Sequence, residues 1–370
     1  MIYNGCMNVV IAGGGTGGHL YPAIAAAEGI REQCPSARVT IICTRKPFDR
    51  SALEKREIPF IALPSPQGIF SLRSALLLPI RLSQCVLAAL RSYQELRPRA
   101  ILGAGGYGSL PAIIAARIAG IPYAIMEQNT VPGKANRLIA GGAFAIFSQW
   151  EEARRAFPGC DDFFHHTGSP LRKEFAPTEK REARAALGID PAKFVLTVMG
   201  GSQGAESLNT LVMNEVARMK RFSGRLFILH LTGARDEDRV RRHYRTLSIP
   251  AMAIGYSDRM NLVYSASDFL VSRAGALAIA EIAAVGVPTL FIPYPHAADR
   301  HQSRNAEALA RNDAAFMIEE SDFRGGEIEK IVAEILDGGR TNDKILTNMR
   351  AFARPRAREE IAERFLKRIG

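Results

Sequence analysis

Residues 268–306 read DFLVSRAGALAIAEIAAVGVPTLFIPYPHAADRHQSRNA, and this stretch predicts the fold class of the chain. Residues 269–272 form a short apolar run that is typical of a buried strand. Residues 276–284 have the composition of a helix, which GVP at 286–288 ends before a second apolar strand at 289–293. Because strand, helix and strand follow one another at this spacing, the stretch predicts a parallel α/β sheet.

Glu281 is the single acid in the otherwise apolar segment 276–284. The turn at 273–275 follows a strand and leads into a helix, which is where open α/β sheets bind ligands. A carboxylate about one and a half turns into that helix, at ~3.6 residues per turn, is well placed to hold the hydroxyls of a sugar. A side chain that only faces solvent explains the same acid. At this point both alternatives stay open.

Glycine turns follow apolar runs at three other places: GGGTGGH at 13–19, GGYGS at 105–109 and GGSQG at 200–204. Small residues let the backbone approach an anion, and the free N–H groups of the turn and of the following helix can bind it. The pattern restarts after GSPLR at 168–172, which we interpret as a hinge. We therefore predict two Rossmann-like, doubly wound α/β domains that face each other across a cleft.

The composition is that of a basic, globular protein. Its 370 residues include 48 Lys and Arg against 37 Asp and Glu, a net charge of +11. This balance favours anionic partners such as phosphates or acidic lipid, while the absence of an RNP or paired CxxC motif argues against nucleic acid. The five scattered cysteines predict reduced thiols. Neither a signal peptide nor an apolar run of ~18 residues is found, so we expect a soluble or peripheral protein.

Gly13, Gly15 and Gly18 formally satisfy the GxGxxG pattern of dinucleotide-binding enzymes. An NAD enzyme usually carries an acid near the end of its second strand, whereas this chain has TRK at 44–46. An NADP-dependent reductase therefore stays open as an alternative, although it explains only the first glycine loop.

Residues 68–99 contain five arginines and one acid, Glu95. Apolar residues after Pro79 keep a helical spacing that predicts a helix facing the core: Leu82, Val86, Ala89, Leu90 and Tyr93. For residues 70–78, a basic and apolar patch on a membrane surface and a place in the core are equally good interpretations.

Seven motifs together identify a resemblance that covers nearly the whole chain. They are GGGTGGH at 13–19, GGYGS at 105–109, EQN at 127–129, GSPLR at 168–172, GGSQGA at 200–205, RAGALAIAEIAAVGVP at 273–288 and DRHQSRNA at 299–306. In order and spacing they resemble the MurG-type N-acetylglucosaminyltransferases of peptidoglycan synthesis. The resemblance implies a GT-B fold. It also implies an N-terminal acceptor and membrane domain at 1–168, a C-terminal donor domain at 169–349, and a last helix at about 350–370 that packs back on the first domain.

The same resemblance implies the reaction. We expect inverting transfer of N-acetylglucosamine from UDP-N-acetylglucosamine (UDP-GlcNAc) to the C4 hydroxyl of the muramyl sugar of lipid I, which is undecaprenyl-pyrophosphoryl-N-acetylmuramyl-pentapeptide. The product is lipid II. The expected partners are these two substrates and an anionic membrane surface, with no nucleic acid. The expected location is peripheral, on the cytoplasmic face of the bacterial inner membrane. Another GT-B enzyme, such as a UDP-GlcNAc 2-epimerase, would share the UDP half.

Site residues follow from the resemblance, motif by motif. The residues implied to bind UDP-GlcNAc are Thr16, Gly17, Gly18, Asn129, Arg172, Ser202, Ser257, Ala276, Leu277, Glu281, His301 and Gln302. The residues implied to meet the acceptor or the lipid are Gly105, Gly106, Tyr107, Arg73, Leu76 and Leu77. Among them, Glu281 is assigned to the uridine ribose. The chain departs from the family pattern at Ser169, at Ala274 and at His301, where asparagine, serine and glutamine are frequent.

Inverting transfer needs a base for the acceptor hydroxyl and stabilisation of the departing UDP. His19 is our first candidate for the base, because a helix N-terminus disfavours its charged form, and Glu127 is the second. N–H groups of helix N-termini and Arg172 can meet the leaving charge, so we expect no metal and no cofactor. Asp236-Glu237-Asp238, the single DxD match, is bracketed by arginines and is interpreted as a solvated face. His165, His166, His230 and His243 are interpreted as structural or exposed, and His296 as a residue of the cleft.

Overall fold

The computed structural model describes residues 7–65, 77–201, 204–247, 249–338 and 341–370. The chain divides into two compact units. The first comprises the residues up to Lys173 together with Arg354–Gly370, and the second comprises Glu174–Ala353.

In the described part of the first unit, seven parallel strands form one sheet: β1 (Asn8–Ala12), β2 (Arg38–Thr44), β3 (Phe60–Leu63), β4 (Ala100–Gly103), β5 (Tyr123–Glu127), β6 (Ala145–Ser148) and β7 (Phe164–His166). The order β3-β2-β1-β4-β5-β6-β7 places β2 and β4 on opposite sides of β1, with Ala12 beside Gly103. Ligands of open parallel sheets bind at the carboxyl ends of the strands where the order reverses in this way. The loops after β1 and β4 therefore form the candidate site of this unit.

The helices between these strands are α1 (Gly17–Gln33), α2 (Pro47–Glu54), α3 (Leu78–Leu96), α4 (Gly106–Ile118) and α5 (Lys134–Ile139). The helix α1 begins at Gly17 and contains Pro22, although proline favours the first turn of a helix. Leu20 and Ile24, on either side of this proline, are fully buried. Packing of α1 into the core thus outweighs the local preference of proline for a helix end.

In the described part of the second unit, six parallel strands form a sheet: β8 (Phe194–Met199), β9 (Leu226–Leu231), β10 (Ala251–Ile254), β11 (Phe269–Ser272), β12 (Thr289–Phe291) and β13 (Phe316–Met317). The order β10-β9-β8-β11-β12-β13 puts the reversal at β8, with Met199 beside Ser272. The glycine turn after β8 and the turn after β11 lie at this edge. The predicted strand at 269–272 is confirmed.

The helices of the second unit are α6 (Lys180–Ala186), α7 (Glu206–Arg218), α8 (Glu237–Arg245), α9 (Met260–Ala266), α10 (Ala276–Val285), α11 (His301–Ala310), α12 (Glu327–Leu336) and α13 (Thr341–Ala351). A fully buried apolar cluster, which includes Leu196, Val198, Leu226 and Phe269, fills the space between this sheet and its helices. Parallel strands covered on both faces are expected to be apolar throughout, as these are.

The final helix, α14 (Ala357–Ile369), belongs to the first unit and packs on α1. Gly29 permits the close approach, since a Cβ there would lie 2.8 Å from the Arg358 carbonyl oxygen. This helix is shorter than the one expected at about 350–370, and residues 352–356 separate it from α13. Pro355, which cannot continue a helix, lies within this separating segment.

Two further findings concern the sequence predictions. Cys34, Cys43, Cys85 and Cys160 are buried free thiols, as expected. Across the described residues, no helix is both long enough and apolar enough to cross a membrane.

Candidate functional site

Asp49 of α2 holds the glycine loop after β1 in place. The Oδ2 atom of this fully buried carboxylate accepts hydrogen bonds from the Gly15 N–H (2.7 Å), the Thr44 N–H (3.0 Å) and the Thr44 hydroxyl (2.6 Å). A Cβ on Gly14 would lie 2.4 Å from the same oxygen, so only glycine fits there. Asp49 already accepts the Gly15 N–H, so the N–H groups that can bind an anion at this loop are those at the start of α1. Asp49 lies 34 residues from Gly15 in the sequence, and no local pattern marks it as a residue of the site.

His19 lies in the first turn of α1 and is partly exposed. Its Nδ1 is 3.1 Å from the carbonyl oxygen of Ala104, in the loop after β4. A carbonyl oxygen can only accept, so Nδ1 carries the hydrogen and the lone pair of the neutral ring is on Nε2. The ring lies against Gly106, where a Cβ would come within 2.7 Å of Cδ2 and 2.8 Å of Nε2. The structure thus brings His19 together with the Gly105-Gly106 turn.

Glu127, the second candidate for the base, ends β5 and is 3% exposed. Four N–H donors engage its two carboxylate oxygens: Asn129 N at 2.9 Å, Asn129 Nδ2 at 3.3 Å, Gly133 N at 3.1 Å and Asn136 Nδ2 at 2.8 Å. Burial raises the pKa of Glu127, and these hydrogen bonds partly oppose the rise. This geometry favours a carboxylate that shapes the loop from 128 to 136. The donors leave it poorly placed to receive a proton from substrate.

The remaining site residues predicted in the first unit lie near its loops. Thr16 is exposed and precedes α1, and Tyr107 is 52% exposed in the first turn of α4. Arg172 is buried, with its guanidinium 4.2 Å from the centre of the Tyr21 ring. A cation–π contact of this kind holds the arginine in place while leaving its charge intact.

In the second unit, Glu281 lies in α10 and is only 6% exposed. The alternative of a solvent-facing side chain was therefore wrong. The Tyr264 hydroxyl of α9 donates to its Oε2 at 3.0 Å, which fixes the carboxylate one and a half turns from the N-terminus of the helix. Ala276 and Leu277 form the first turn of the same helix.

Arg273 joins three segments around this edge of the sheet. It is buried, and its guanidinium donates to the Ile292 and Pro293 carbonyl oxygens at 3.0 Å each. It also donates to the Ser207 hydroxyl of α7 at 2.8 Å and forms an ion pair with Glu320 at 2.6 Å. From the sequence, Arg273 is only the first residue of the turn at 273–275. Its side-chain contacts join segments that are up to 66 residues apart in the sequence, so no local sequence pattern reveals them.

His301 and Gln302 are the first two residues of α11, directly after the loop that follows β12. The Gln302 Oε1 accepts the Tyr294 N–H at 3.0 Å, so the amide nitrogen of Gln302 is the end that can donate elsewhere. His301 Nδ1 is 2.8 Å from the Ala298 carbonyl oxygen. Ser257, three residues after β10, accepts the Arg259 N–H at 3.1 Å.

The DxD sequence lies at the start of α8, and the interpretation as a solvated face was wrong for its first residue. Asp236 accepts from Arg239 at 2.5 and 2.7 Å and from Asn209 at 2.7 Å, and its side chain is 14% exposed. Its pKa is lowered, chiefly by the hydrogen bond from Arg239. Glu237 pairs with Arg241. In the parts of the chain that the structure describes, no three His, Cys, Asp or Glu residues are grouped to hold a metal.

Asn209 also belongs to a buried network that supports the glycine turn after β8. His230 is fully buried, with Nδ1 2.8 Å from the Tyr244 hydroxyl and Nε2 3.0 Å from the Asn209 Oδ1. Burial lowers its pKa to about 3, so the ring is neutral. The Asn209 amide also donates to the Thr232 carbonyl oxygen, against which Gly204 packs. The structural interpretation of His230 is confirmed.

Three predicted residues, Arg73, Leu76 and Ser202, lie outside the described residues. Leu77 is 44% exposed directly before α3, and Ile80 and Leu87 on the same face of that helix are 57% and 55% exposed. Opposite them Val86, Ala89 and Tyr93 are buried, which confirms the predicted core-facing side of α3, whereas Leu82 and Leu90 are only half-buried. The predicted apolar patch ended at residue 78, so the exposure of Ile80 and Leu87 beyond Leu77 was not predicted.

Comparison with known proteins adds three findings. Residues 9–148 match the N-terminal domain and residues 195–365 the C-terminal domain of glycosyltransferase family 28. The UDP-N-acetylglucosamine–N-acetylmuramyl-(pentapeptide) pyrophosphoryl-undecaprenol N-acetylglucosamine transferase of Geotalea daltonii is 35% identical over 362 residues, with 96% of each chain covered. The crystal structure of Acinetobacter baumannii MurG is similar with a TM-score of 0.74 at 25% identity, over 98% of this chain and 100% of that one.

A further solved structure shares the fold alone. It is a UDP-GlcNAc 2-epimerase from Neisseria meningitidis, bound to UDP-GlcNAc. It has a TM-score of 0.70 at 14% identity, over 98% of this chain and 100% of that one.

Proposed function

This chain belongs to the MurG family of glycosyltransferases, and from that premise we propose how its residues transfer N-acetylglucosamine from UDP-GlcNAc to lipid I, giving lipid II. The observation that carries this function is the relatedness to named transferases over 96% of the chain. The fold is GT-B, built from two parallel α/β units. The transfer is inverting, and the acceptor atom is the C4 hydroxyl of the muramyl sugar.

His19 takes the proton of the acceptor hydroxyl. Its support is geometric: the Ala104 carbonyl oxygen holds Nδ1–H and so leaves the basic lone pair on Nε2. The start of α1 adds a positive dipole end that favours the neutral, proton-accepting ring. Glu127 serves the same loop as an anchor, because four N–H donors hold its carboxylate. The acceptor sugar and its pyrophosphate lie along Gly105, Gly106 and Tyr107.

The departing UDP is stabilised by backbone N–H groups at helix starts and by Arg172. The helices α7 and α10 begin at the carboxyl edge of the second sheet, where anions bind. Ser202 is assigned to the UDP phosphates from its sequence motif alone. Arg273 gives this edge its rigidity by tying Ser207 to the end of β12. No metal takes part in this stabilisation.

The donor's other groups are assigned to residues with fixed side chains. Glu281, oriented by the Tyr264 hydroxyl, binds the ribose. The remaining contacts go to the nucleotide and the sugar: Ala276, Leu277 and Ser257 for the nucleotide, and His301, Gln302, Asn129, Thr16, Gly17 and Gly18 for the sugar and phosphates. Carboxylates and amides suit sugar hydroxyls because each accepts or donates in a fixed direction.

The protein docks peripherally on the anionic cytoplasmic leaflet of the inner membrane through Leu77, Ile80 and Leu87, together with Arg73 and Leu76. The helix α3 precedes the parallel strand β4, so its start lies at the carboxyl edge of the sheet, the edge that carries His19. Apolar side chains flanked by arginines bind the interface of acidic membranes. A lipid-linked acceptor would therefore be met at the same edge as the base.

Replacing Ile80 and Leu87 together by aspartate tests the docking face. We expect sedimentation with phosphatidylglycerol vesicles to be lost while UDP binding stays unchanged. Ile118→Asp is the matched control, because Ile118 is 65% exposed at the far end of α4, on the opposite edge of the sheet. Sedimentation that survives the double substitution, or that is lost equally in the control, would refute the assignment.

One assay tests the reaction itself. The protein is incubated with UDP-GlcNAc labelled in the sugar and a short-chain lipid I analogue, and both UDP release and label in the lipid fraction are followed. We expect equal rates for the two and no release without acceptor. UDP release that is independent of acceptor would instead favour an epimerase-type reaction. His19→Ala in the same assay tests the base, since near-normal turnover would exclude that role.

A further inference from the structure

The Ala104 carbonyl oxygen accepts two side-chain hydrogen bonds, and the second comes from Gln128. The Gln128 Nε2 lies 3.0 Å from this oxygen, and His19 Nδ1 lies 3.1 Å from it. Ala104 itself is fixed, because its N–H donates to the Ala12 carbonyl oxygen of β1 at 2.7 Å. The two side chains therefore share one rigid acceptor at the reversal of the sheet.

The orientation of the Gln128 amide is determined by this shared acceptor. A carbonyl oxygen cannot donate, so the nitrogen of the amide must face Ala104 and Oε1 must face away. Gln128 is 3% exposed, and no described group donates a hydrogen bond to Oε1. A Cβ on Gly105 would lie 3.1 Å from Oε1 and equally 3.1 Å from His19 Nδ1, so this oxygen and the imidazole flank the same small turn.

An acceptor oxygen left without a donor in a buried site is costly and calls for an explanation. When a base at position 19 takes a proton on Nε2, the ring becomes a cation, and its Nδ1–H bond to Ala104 becomes charge-assisted and stronger. The negative end of the Gln128 amide beside the ring then stabilises the charge that has formed. In the resting state the same amide keeps Ala104 aimed so that the hydrogen stays on Nδ1.

From these contacts we propose that Gln128 is a positioning residue for His19: it fixes the tautomer of the ring and supports its charged form during proton transfer. This inference rests on the proposed role of His19 as the base. It gives the imidazole a neutral orienting group, in contrast to the carboxylate that orients the histidine of many hydrolases. Glu127, the neighbouring carboxylate, is turned to Asn129, Gly133 and Asn136 and does not fill this role.

The side chain of Gln128 can be changed without releasing its backbone. The Nε1 of Trp150, the only tryptophan in the chain, donates to the Gln128 carbonyl oxygen at 2.9 Å. Gln128→Met keeps the length and volume of the side chain and removes both polar atoms. Gln149→Met is the matched control, since Gln149 follows β6 as Gln128 follows β5, one strand away in the sheet.

Two measurements on the full chain test the proposal. In ¹⁵N-histidine-labelled protein, the His19 signal is assigned by its loss in His19→Asn. We expect a protonated Nδ1 and a bare Nε2 in the wild type and in the control Gln149→Met, and a mixture of tautomers in Gln128→Met. In steady-state assays with the lipid I analogue, we expect kcat of Gln128→Met to fall by about 10- to 100-fold, as for a displaced catalytic group. The KM for UDP-GlcNAc should stay unchanged. The acid limb of the pH profile of kcat/KM should move to lower pH, because the charged form of the ring loses the support of the Gln128 amide.

Gln128→Glu provides a second variant if the methionine protein folds poorly. Its carboxylate places a negative charge beside the ring, so the acid limb of kcat/KM should shift to higher pH. The proposal is overturned if the tautomer of His19 and kcat are those of the wild type in Gln128→Met, or if Gln149→Met loses as much activity. Failure of the underlying function looks different: His19→Ala would then turn over normally, whereas failure of the Gln128 role leaves His19→Ala inactive.

Discussion

Gly106 offers a sharp test of the idea that the position of the His19 ring controls turnover. In Gly106→Ala, the new Cβ would lie 2.7 Å from Cδ2 and 2.8 Å from Nε2 of His19. Ordinary contacts between such atoms are about 3.5–4.0 Å, so the ring must move by about 1 Å. A displacement of that size costs about 100-fold in rate when the group must be aligned with the reacting atom.

The same substitution also strains the backbone, because Gly106 has a φ of +73°. A non-glycine residue in this region loses about 1–2 kcal/mol. Gly120, just beyond the end of α4, has a φ of +67° and nothing within 4 Å of its would-be Cβ. Gly120→Ala is therefore a control that carries the strain without the collision.

We expect both alanine variants to lower the melting temperature similarly, by about 2–8 °C for a unit of this size. Only Gly106→Ala should lose kcat, by about 100-fold, with UDP binding retained. The assay is the coupled measurement of UDP release with the lipid I analogue, alongside thermal melts. Wild-type kcat in Gly106→Ala, or an equal loss of kcat in Gly120→Ala, would refute the reasoning.

Two further predictions concern the second unit. Glu281→Gln should weaken UDP binding by roughly 10- to 100-fold in calorimetry, which is the value of a hydrogen bond to a charged group. Tyr264→Phe should weaken UDP binding less. Equal affinities of Glu281→Gln and the wild type for UDP would contradict the assignment of Glu281 to the ribose. His230→Leu should lower the free energy of unfolding by about 2–4 kcal/mol, because it leaves Tyr244 and Asn209 with buried, unpaired polar atoms. Burial lowers the pKa of His230 to about 3, so its neutral ring contributes its full stability above pH 6.5 and loses that contribution as the pH falls towards 3. Denaturant titrations of His230→Leu should therefore show a weaker dependence of the free energy of unfolding on acid pH than those of the wild type.

The sequence predicted those elements of this protein that depend on residues close together in the chain. The strand at 269–272, the turn and the helix α10 could be recognised from apolar runs and their glycine and proline boundaries. The glycine loop at 13–19 was recognised in the same way. The start of the following helix could not be located in this way. The burial of Leu20 and Ile24 decides whether Pro22 can lie inside a helix, and burial is a property of the whole fold.

What the sequence could not predict depends on contacts between distant segments. Asp49 meets Gly15 from 34 residues away, and Arg273 meets Ser207 from 66 residues away. Asp236 looked like part of a charged surface until the fold placed Asn209 against it. In each case a polar residue that reads as ordinary surface becomes an anchor for a distant segment, because only the packed structure supplies its partners.

Trp150 has a consequence for how the protein can be observed in solution. It is 3% exposed, it is the only indole in 370 residues, and it lies in the first unit. Its fluorescence therefore reports on the unit that carries His19 and is silent about the other one. Circular dichroism, in contrast, sums the helices of both units. An unfolding curve followed by the two signals would separate the stability of the two halves without any label, and a shift in emission on adding acceptor would report binding beside Gln128.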